Sequence, residues 1–416
     1  MTLKIERIET AGPVGPFAEP KPSMRGRYLI RSSARKARIM GVIDAVLGVL
    51  PRRKPAVPPD PERILVANWA HLGDVITTFG ALTALRQRYP NARIGMLVAS
   101  WGKPAIAATG LVDDIHVIDH HKLSRADIPR SEMKKRHKQT LRVAMRDIQA
   151  ARYQIAIDLF AFFPQAHPLF YKAGIPVRIS YTSGGFGPLL THPVVWRDEE
   201  RPMGDQYRDL LNQLSPNQPF LPAALRPRRD RATLAPLPAD VADIGRYLVI
   251  HPGAGSPTRY WGNERWEAVI RDLRRDVPDF RIVLTGAGQI EGRATRELTA
   301  LFPDVINMAG HASWEEFVSI LAHADLVISP DTAAGHVAAL FDVPIVSVFT
   351  GSNSAAKWAP YGDKVHLLVK PVVCSPCHLV GCDVMECFRG IPTDRVTAAA
   401  LNLLRGRTAG APSLLV

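Results

Sequence analysis

Short apolar runs alternate with longer amphipathic stretches along most of this chain. The runs predict strands at Ile64–Asn68, Ile94–Val98, Ile115–Ile118, Ile155–Leu159, Val177–Ile179, Tyr247–His251, Ile282–Thr285, Leu326–Ser329 and Ile345–Phe349. The amphipathic stretches predict helices at Asp74–Tyr89, Trp266–Arg275, Ile290–Leu301, Trp314–Ala322 and Thr393–Leu404. Strands that alternate with helices form mostly parallel sheets covered by helices on both faces, so we predict an α/β fold.

The alternation falls into two series, and a chain of 416 residues is too long for one ordinary core. The stretch from Ser215 to Gly245 is rich in Pro, Ala and Arg and lacks a clear period, which is typical of a connection. We therefore predict an arm and linker at 1–61, a Rossmann-like domain at 62–214, a connection at 215–246, a second Rossmann-like domain at 247–392, and a C-terminal helix and tail at 393–416.

Composition indicates a soluble globular protein, with 46% hydrophobic and 22% charged residues. No run reaches the roughly 18–20 apolar residues of a membrane span. The first ten residues lack the apolar core of a secretory signal, which favours a cytoplasmic location.

The net charge of +13 suggests an anionic partner such as a nucleotide, a phosphorylated glycolipid, an anionic membrane or nucleic acid. Basic residues concentrate in the N-terminal arm, around the apolar segment from Ile39 to Leu50, whose only acid is Asp44. This pattern is typical of a helix on an anionic membrane surface, and equally of a mobile or self-packed arm. A second basic cluster, from Lys134 to Arg146, favours a solvated helix face over an acceptor site.

One strand-to-helix junction carries several chemically distinctive side chains. After the apolar run that ends at Ile328, the segment 329–336 contains Asp331, Thr332, Gly335 and His336. Open α/β sheets bind ligands at such junctions, where helix amides can hold an anion. The simpler interpretation is a helix N-cap followed by a core histidine.

Two further junctions follow the same plan. In the first domain Gly73 permits a tight turn and Asp74 is either a helix cap or a carboxylate that takes a proton from an attacking hydroxyl. In the second, Gly253 and Gly255 directly follow a strand, where glycines allow a phosphate close to the backbone, and Arg259 could bind that phosphate with two hydrogen bonds.

The four cysteines all lie within one short segment, as Cys374, Cys377, Cys382 and Cys387. A reducing cytosol argues against disulfides as the default. The spacing could hold zinc, but its last two gaps are not those of a standard zinc ribbon, so a redox-sensitive or structural loop is the alternative.

These motifs, in this order, resemble the lipopolysaccharide heptosyltransferases of glycosyltransferase family 9. The resemblance covers about residues 62–404 and is carried by Ile64-Leu65-Val66, Leu72-Gly73-Asp74-Val75-Ile76, Ala81-Leu82, Tyr89-Pro90, His251-Pro252-Gly253-Ala254-Gly255, Trp261, Asp331-Thr332, Gly335-His336, Trp358, Pro360-Tyr361-Gly362 and Cys374-Ser375-Pro376-Cys377. The chain departs from the family pattern in its long basic arm, and in having arginine at 259, where members often have lysine.

The resemblance implies a GT-B fold, in which two Rossmann-like domains face a central cleft. It implies an inverting transfer of a sugar, typically heptose from ADP-heptose, to a lipopolysaccharide-core acceptor, with no metal or other cofactor required. Asp74 then matches the general base and Glu315 an acid that holds the nucleotide ribose. Arg259 matches a contact to the donor phosphate, and Asp331, Thr332, Gly335 and His336 match the diphosphate-binding turn.

Two other functions remain open on the sequence. A family member could use a different nucleotide sugar to build another surface glycan. A non-catalytic protein that binds nucleotides or nucleic acid is suggested by the charge alone, and we expect no specific nucleic-acid partner.

Overall fold

The computed structural model describes residues 4–8, 27–30, 34–49, 54–124, 128–197, 199–222, 229–379 and 381–408. The strands are β1 Lys4–Arg7, β2 Arg63–Ala67, β3 Arg93–Val98, β4 Asp114–Val117, β5 Ile155–Asp158, β6 Val177–Tyr181, β7 His192–Val194, β8 Tyr247–Ile250, β9 Arg281–Leu284, β10 Ile306–Asn307, β11 Leu326–Pro330, β12 Ile345–Phe349 and β13 Val365–Val369. Every predicted strand is confirmed to within two residues, whereas β1, β7, β10 and β13 were not predicted.

The helices share the amphipathic or small-residue character expected of elements that cover a sheet. They are α1 Ala34–Leu47, α2 Leu72–Thr77, α3 Phe79–Arg88, α4 Lys103–Ala107, α5 Arg130–Ala151, α6 His167–Lys172, α7 Met203–Leu211, α8 Ala239–Ala242, α9 Asn263–Asp276, α10 Gly288–Leu301, α11 Trp314–His323, α12 Ala333–Ala339, α13 Ala355–Trp358, α14 Glu386–Arg389 and α15 Thr393–Thr408. In the part of the chain that is described, no helix is both long and apolar enough to cross a bilayer.

The chain divides into two compact units. The first, here called the N-terminal unit, is Lys21–Pro227, and the second, the C-terminal unit, combines Arg228–Val416 with Met1–Pro20. Among the described residues, each unit contains one sheet, and its strand pairings are all parallel. The predicted α/β class and its two parallel sheets are therefore confirmed.

In the N-terminal unit the strand order is β4-β3-β2-β5-β6-β7. Counted from β2, this is the order 3-2-1-4-5-6 of a Rossmann sheet. The central strands are apolar along their length, as strands covered on both faces must be, and Ile64, Leu65 and Val66 are fully buried.

The predicted helix at Asp74–Tyr89 is two helices, α2 and α3, which meet at Thr78. Thr77 and Thr78 donate their hydroxyl protons backward to the carbonyls of Asp74 and Val75, each at 2.7 Å. Such local bonds compete with the helical ladder, which explains why a continuous apolar pattern does not form one straight helix. The helix also begins two residues earlier than predicted, so Asp74 lies within its first turn.

The sheet of the C-terminal unit has the order β1-β13-β12-β11-β8-β9-β10. From β8 onward it repeats the Rossmann order, with β1 added in parallel beside β13. Helices α9 and α15 pack against each other, and Trp266, Leu273, Val396 and Ala400 contribute to the same buried core. The C-terminal helix is thus part of the core of this unit.

The strand at Lys4–Arg7 lies within the segment 1–61 that the sequence analysis interpreted as an arm and linker. Glu6 joins it to two distant elements, because its carboxylate accepts hydrogen bonds from Arg395 Nε at 2.7 Å and pairs with His366 Nε2 at 2.9 Å. Burial alone raises the pKa of Glu6, but the hydrogen bonds from Arg395 and His366 outweigh it and hold the pKa below its usual value. Residues Lys4–Arg7 therefore form an edge strand of the C-terminal sheet.

Helix α1 lies in the same predicted arm and packs within the N-terminal unit. Met40 is buried with Tyr28 and Ile30, and the Tyr28 hydroxyl donates to the buried Asp44 carboxylate at 2.9 Å. Burial, together with the Asp44 hydrogen bond, raises the pKa of Tyr28 to about 12. Asp44, the acid of this basic segment, is thus the hydrogen-bond acceptor of Tyr28. The buried side chains of Tyr28, Ile30 and Met40 pack the described part of the arm onto the N-terminal unit.

Replacing Glu6 by Gln is expected to lower the free energy of unfolding at pH 7 by about 1–2 kcal/mol, because the charge-assisted bonds to Arg395 and His366 are weakened. A carboxylate with a depressed folded-state pKa stabilises the fold above its unfolded pKa, near 4.5, and loses that effect as the pH falls through its folded value. Urea unfolding at several pH values measures both effects.

The control is Glu267→Gln, which removes a partly exposed pair with Arg271 within α9. We expect it to change stability by less than about 0.5 kcal/mol. An equal effect of the two substitutions, or a Glu6→Gln effect that persists at acid pH, would contradict the assigned role of β1.

Candidate active site

Strand order determines where each unit can bind a ligand. The connections of a doubly wound sheet run in opposite directions from its two central strands, which leaves a crevice beyond their carboxyl ends. These central neighbours are β2 and β5 in the N-terminal unit, and β8 and β11 in the C-terminal unit. The loops predicted from the sequence follow β2, β8 and β11, so all three lie at such positions.

In the N-terminal unit, Asp74 occupies the third position of α2. One carboxylate oxygen accepts the backbone N–H of His71 at 3.0 Å, as in a capping box. The side chain is only partly buried, so it remains accessible from solvent. The N-cap residue is therefore His71, and Asp74 is the third residue of the helix, whose carboxylate binds the N-cap amide. Its role as a general base stays a prediction.

Buried polar groups hold the backbone around Asp74. Asn68 donates its side-chain amide to the Asp74 carbonyl at 3.1 Å, and Thr77 forms a hydroxyl pair with Tyr207 at 3.0 Å. Burial raises the pKa of Tyr207, and the Asp74 charge adds to that shift. Tyr207 therefore remains a neutral phenol that contacts Thr77 at the end of α2, and sequence patterns did not single it out.

In the C-terminal unit, Arg259 and Asp331 are brought together from two different loops. The guanidinium donates to the Asp331 carbonyl at 3.2 Å and lies 3.3 Å from its carboxylate. Asn353 donates to the same carboxylate at 3.0 Å. Asp331 is thus held by a cation and an amide, and it fixes Arg259 at the start of α12.

The first turn of α12 is open to an additional partner. Thr332 precedes the helix in extended conformation and makes no side-chain cap, and its hydroxyl oxygen is buried without a hydrogen-bond partner. The first amides of a helix also lack intrahelical acceptors. A hydroxyl, free amides and the adjacent Arg259 guanidinium form a donor set suited to phosphate oxygens.

His336 lies one turn further along α12 and is buried. Burial lowers its pKa; the Asp331 carboxylate opposes that shift and Arg259 adds to it. The imidazole is therefore neutral at physiological pH and cannot supply a positive charge to an anion. Its burial agrees with the core histidine of the simpler interpretation, whereas the N-cap side chain of that interpretation makes no capping bond to α12.

Gly253 and Gly335 are explained by packing within the protein and not by the predicted approach of a phosphate. A Cβ on Gly253 would lie 2.4 Å from the side chain of Glu291, and one on Gly335 would lie 3.1 Å from Pro360. Both are needed because protein atoms approach closely, which does not depend on a bound phosphate. Gly255 is exposed and remains compatible with close approach of a ligand.

Glu291 was not identified from the sequence, although it organises two loops. It accepts the backbone N–H of Ala287 and lies 3.8 Å from Nε2 of His251. Burial lowers the pKa of His251, against the effect of the Glu291 charge. The sequence analysis also did not identify Asn353. This residue follows the carboxyl end of β12, and β12 neighbours β11 in the sheet, so its place after a strand was the signal that could have identified it.

Glu315 lies in the first turn of α11 and is exposed. The capping box of this helix uses Ser313 and the neighbouring Glu316. Glu315 is therefore not required for the local fold, and its predicted ribose contact stays a prediction.

The four cysteines are free thiols around one pocket, which Thr258, Thr350 and Ser352 also line. Burial, with the neighbouring cysteines, raises the pKa of Cys374, and burial raises that of Cys387, so both thiols are protonated at neutral pH. Within the described residues, the group with three possible ligand atoms mutually within 4.8 Å consists of histidines. The geometry gives the zinc prediction no support. The cysteines line a pocket next to Thr258, in the loop that carries Arg259.

Comparison with known proteins decides the family. The sequence profile of glycosyltransferase family 9 (heptosyltransferase) matches residues 141–387, more than half of the chain. The chain belongs to this family. It is therefore a glycosyltransferase, and the non-catalytic alternative is not retained.

Curated members of glycosyltransferase family 9 are distant relatives. The chain is 24% identical to lipopolysaccharide heptosyltransferase 3 of Escherichia coli, over 70% of this chain and 84% of that one. It is 26% identical to lipopolysaccharide heptosyltransferase 1 of Pseudomonas aeruginosa, over 76% of this chain and 86% of that one.

Solved structures show the same fold. A glycosyltransferase family 9 protein from Veillonella parvula superposes with a TM-score of 0.66 at 20% identity, covering 85% of this chain and all of the other. The E. coli ADP-heptose lipopolysaccharide heptosyltransferase II gives 0.63 at 19% identity, with 83% and 99% coverage. These neighbours are GT-B enzymes, so the predicted fold class is confirmed.

Proposed function

We propose that this glycosyltransferase moves heptose from ADP-heptose onto a lipopolysaccharide-core acceptor, with inversion at the anomeric carbon. The observation that carries the proposal is the donor set at the start of α12, where Arg259 and the buried, unpartnered Thr332 hydroxyl meet free helix amides. The names of the relatives, which include an ADP-heptose enzyme, support the choice of donor.

The donor set matches the charge that develops during sugar transfer. As the glycosidic bond to the diphosphate breaks, negative charge accumulates on the leaving phosphate oxygens. Arg259 and the α12 amides can stabilise that charge without a metal ion, which makes the proposed mechanism metal-independent. The Asp331 carboxylate would repel the same oxygens, and it instead orients Arg259 and Asn353.

Glu315, exposed on the first turn of α11, is proposed to accept hydrogen bonds from the ribose hydroxyls. Helix α11 packs against α12, so its first turn belongs to the same region of the C-terminal unit. Because Glu316 performs the local capping, a substitution at Glu315 would change nucleotide binding without removing that cap.

Asp74 is proposed as the general base. Its carboxylate is partly exposed in the first turn of α2, where it can take the proton of the acceptor hydroxyl as the hydroxyl oxygen attacks the anomeric carbon. The bond to the His71 amide fixes the direction of the carboxylate, and the Asn68 and Thr77 contacts fix its backbone.

A donor panel tests the substrate assignment. Purified protein is incubated with a lipopolysaccharide-core acceptor and ADP-heptose, or with UDP-, GDP- or dTDP-sugars, and the products are identified by mass spectrometry. We expect transfer from ADP-heptose. Transfer from another nucleotide sugar alone would replace this proposal by the alternative, a family member that builds a different surface glycan.

Asp74→Asn is expected to reduce the transfer rate about 10²–10⁴-fold, because the amide cannot take the acceptor proton. Its side-chain oxygen can still accept the His71 N–H, so the helix cap and the thermal unfolding midpoint should be retained. Single-turnover kinetics measure the rate, and calorimetry should show unchanged nucleotide binding. Asp147→Asn, at a partly exposed site on α5, is the control, and a near-wild-type rate for Asp74→Asn would exclude the general base.

We further propose that α1 attaches this enzyme to the anionic cytoplasmic face of the inner membrane, where a glycolipid acceptor would be located. The face opposite Met40 and Asp44 exposes apolar side chains spaced by three or four residues. They are Ile39 at 49%, Val42 at 65%, Val46 at 67% and, just past the helix, Val49 at 85% exposure. Exposed Arg35, Lys36 and Arg38 at the start of the helix complement anionic headgroups.

The double substitution Val42→Ser/Val46→Ser is expected to weaken binding to phosphatidylglycerol-containing vesicles about tenfold, because two apolar side chains no longer insert. Turnover on a soluble acceptor analogue should not change. The matched control is Val143→Ser/Val195→Ser, two exposed valines elsewhere in the N-terminal unit. Equal vesicle binding by both double variants in a flotation assay would refute the α1 attachment.

A further inference from the structure

Three histidines form a compact group in the N-terminal unit, apart from the catalytic residues proposed above. His120 and His121 lie in the loop that follows β4, and His137 lies on α5. Their ring centroids are separated by 4.8 Å for His120 and His121, 4.6 Å for His120 and His137, and 5.3 Å for His121 and His137. One nitrogen from each ring lies within 4.8 Å of the other two.

Hydrogen bonds hold the two supporting elements together. The Asp119 amide donates to the hydroxyl of Thr140, one turn beyond His137 on α5, at 3.0 Å. The Asp119 carboxylate accepts the Ser100 N–H at 2.8 Å, and the Leu123 amide closes a turn onto the His120 carbonyl at 2.8 Å. The loop therefore presents its two histidines to α5 in a defined position.

Two of the ring nitrogens are buried but have no hydrogen-bond partner in the protein. Nδ1 of His121 and Nδ1 of His137 are both buried without a hydrogen bond. An unsatisfied buried polar atom costs about 1–3 kcal/mol, so a ligand at this position would remove a penalty. His137 also hydrogen-bonds to the Asp119 backbone, a contact of the kind that orients metal-binding histidines in other proteins.

We propose that His120, His121 and His137 bind a divalent transition-metal ion of the zinc class. Neutral imidazoles are preferred ligands of Zn²⁺, Co²⁺ and Ni²⁺, and three histidines with an open fourth position are an established donor set. Metal–nitrogen bonds of about 2.0–2.1 Å place tetrahedral ligands about 3.4 Å apart, so the rings must draw together around the ion. His120 accepts a long bond of 3.3 Å from the Lys122 amide at Nδ1, which a metal bond can replace.

The charges around the group determine what its fourth position accepts. Lys122, Arg130 and Lys134 lie near His121, Lys122 also lies near His120, and Asp119 is the carboxylate near His137. This cationic surrounding weakens the affinity for a dication relative to a neutral site. It also favours an anionic fourth ligand, such as a phosphate or carboxylate oxygen, which would balance the charge of the ion.

A metal ion bound by the three histidines would join the loop after β4 to α5. This position is next to the loop that leads to Asp74. The His120 ring contacts Trp69 at 5.7 Å between centroids, and Trp69 donates its indole N–H to the Pro164 carbonyl at 3.0 Å. The ion is thus a structural clamp at the carboxyl edge of the sheet, and the sugar transfer itself does not pass through it.

The experiment uses full-length protein purified without a histidine tag, stripped with chelator and titrated with Co²⁺ and Zn²⁺. We expect one equivalent of bound metal by mass spectrometry, a Co²⁺ absorption spectrum of a four-coordinate nitrogen and oxygen site, and a higher thermal unfolding midpoint with metal. His121→Asn/His137→Gln should lose the Co²⁺ spectrum and weaken metal binding at least tenfold, while its metal-free unfolding midpoint stays at the wild-type value.

Two controls separate this group from other metal-binding side chains. Cys374→Ser/Cys377→Ser tests the cysteine segment, and His311→Gln tests an exposed histidine elsewhere. The proposal is overturned if the stripped wild type binds no metal, or if the histidine double variant retains the spectrum. It is also overturned if only the cysteine variant loses bound metal, or if the His311 variant loses as much as the double variant.

Discussion

The parallel pairing of the described strands in both sheets is the constraint on which the rest of this structure depends. Parallel strands end at a common edge, and the order 3-2-1-4-5-6 reverses direction between its first and fourth strands. The chain must therefore leave a crevice beyond β2 and β5, and another beyond β8 and β11. Residues far apart in sequence meet there because of strand order, as Arg259 and Asp331 do.

Within this framework, the polar groups of the C-terminal unit form a hierarchy. Glu291 and Asn353 hold loops and side chains, Asp331 holds Arg259, and the remaining donors of Arg259, Thr332 and the α12 amides form the proposed phosphate site. A buried carboxylate beside a phosphate site would repel its ligand unless it were neutralised. The cation and amide on Asp331 provide that neutralisation, so an acid at the start of α12 is compatible with the proposed phosphate site.

The basic N-terminal segment contains two elements, β1 and α1, that pack onto the two units. One short segment completes the C-terminal sheet through Glu6, and a helix packs on the N-terminal unit through Met40 and the Tyr28–Asp44 hydrogen bond. The charge of the segment suggested an arm, and charge carries no information about strand pairing. The same helix leaves an apolar stripe exposed, so the face proposed for membrane attachment lies opposite the face that packs.

The sequence by itself determined the α/β class, nine strand positions and the loops that carry Asp74, Arg259 and Asp331, because periodicity and strand-to-helix junctions are local properties. The sequence did not predict the break at Thr78, the packing reason for Gly253, the strand at Lys4–Arg7 or the histidine group. Each of these depends on which distant side chain or strand becomes a neighbour. Only the tertiary structure decides that, since sheet order and close packing select contacts that no window of sequence contains.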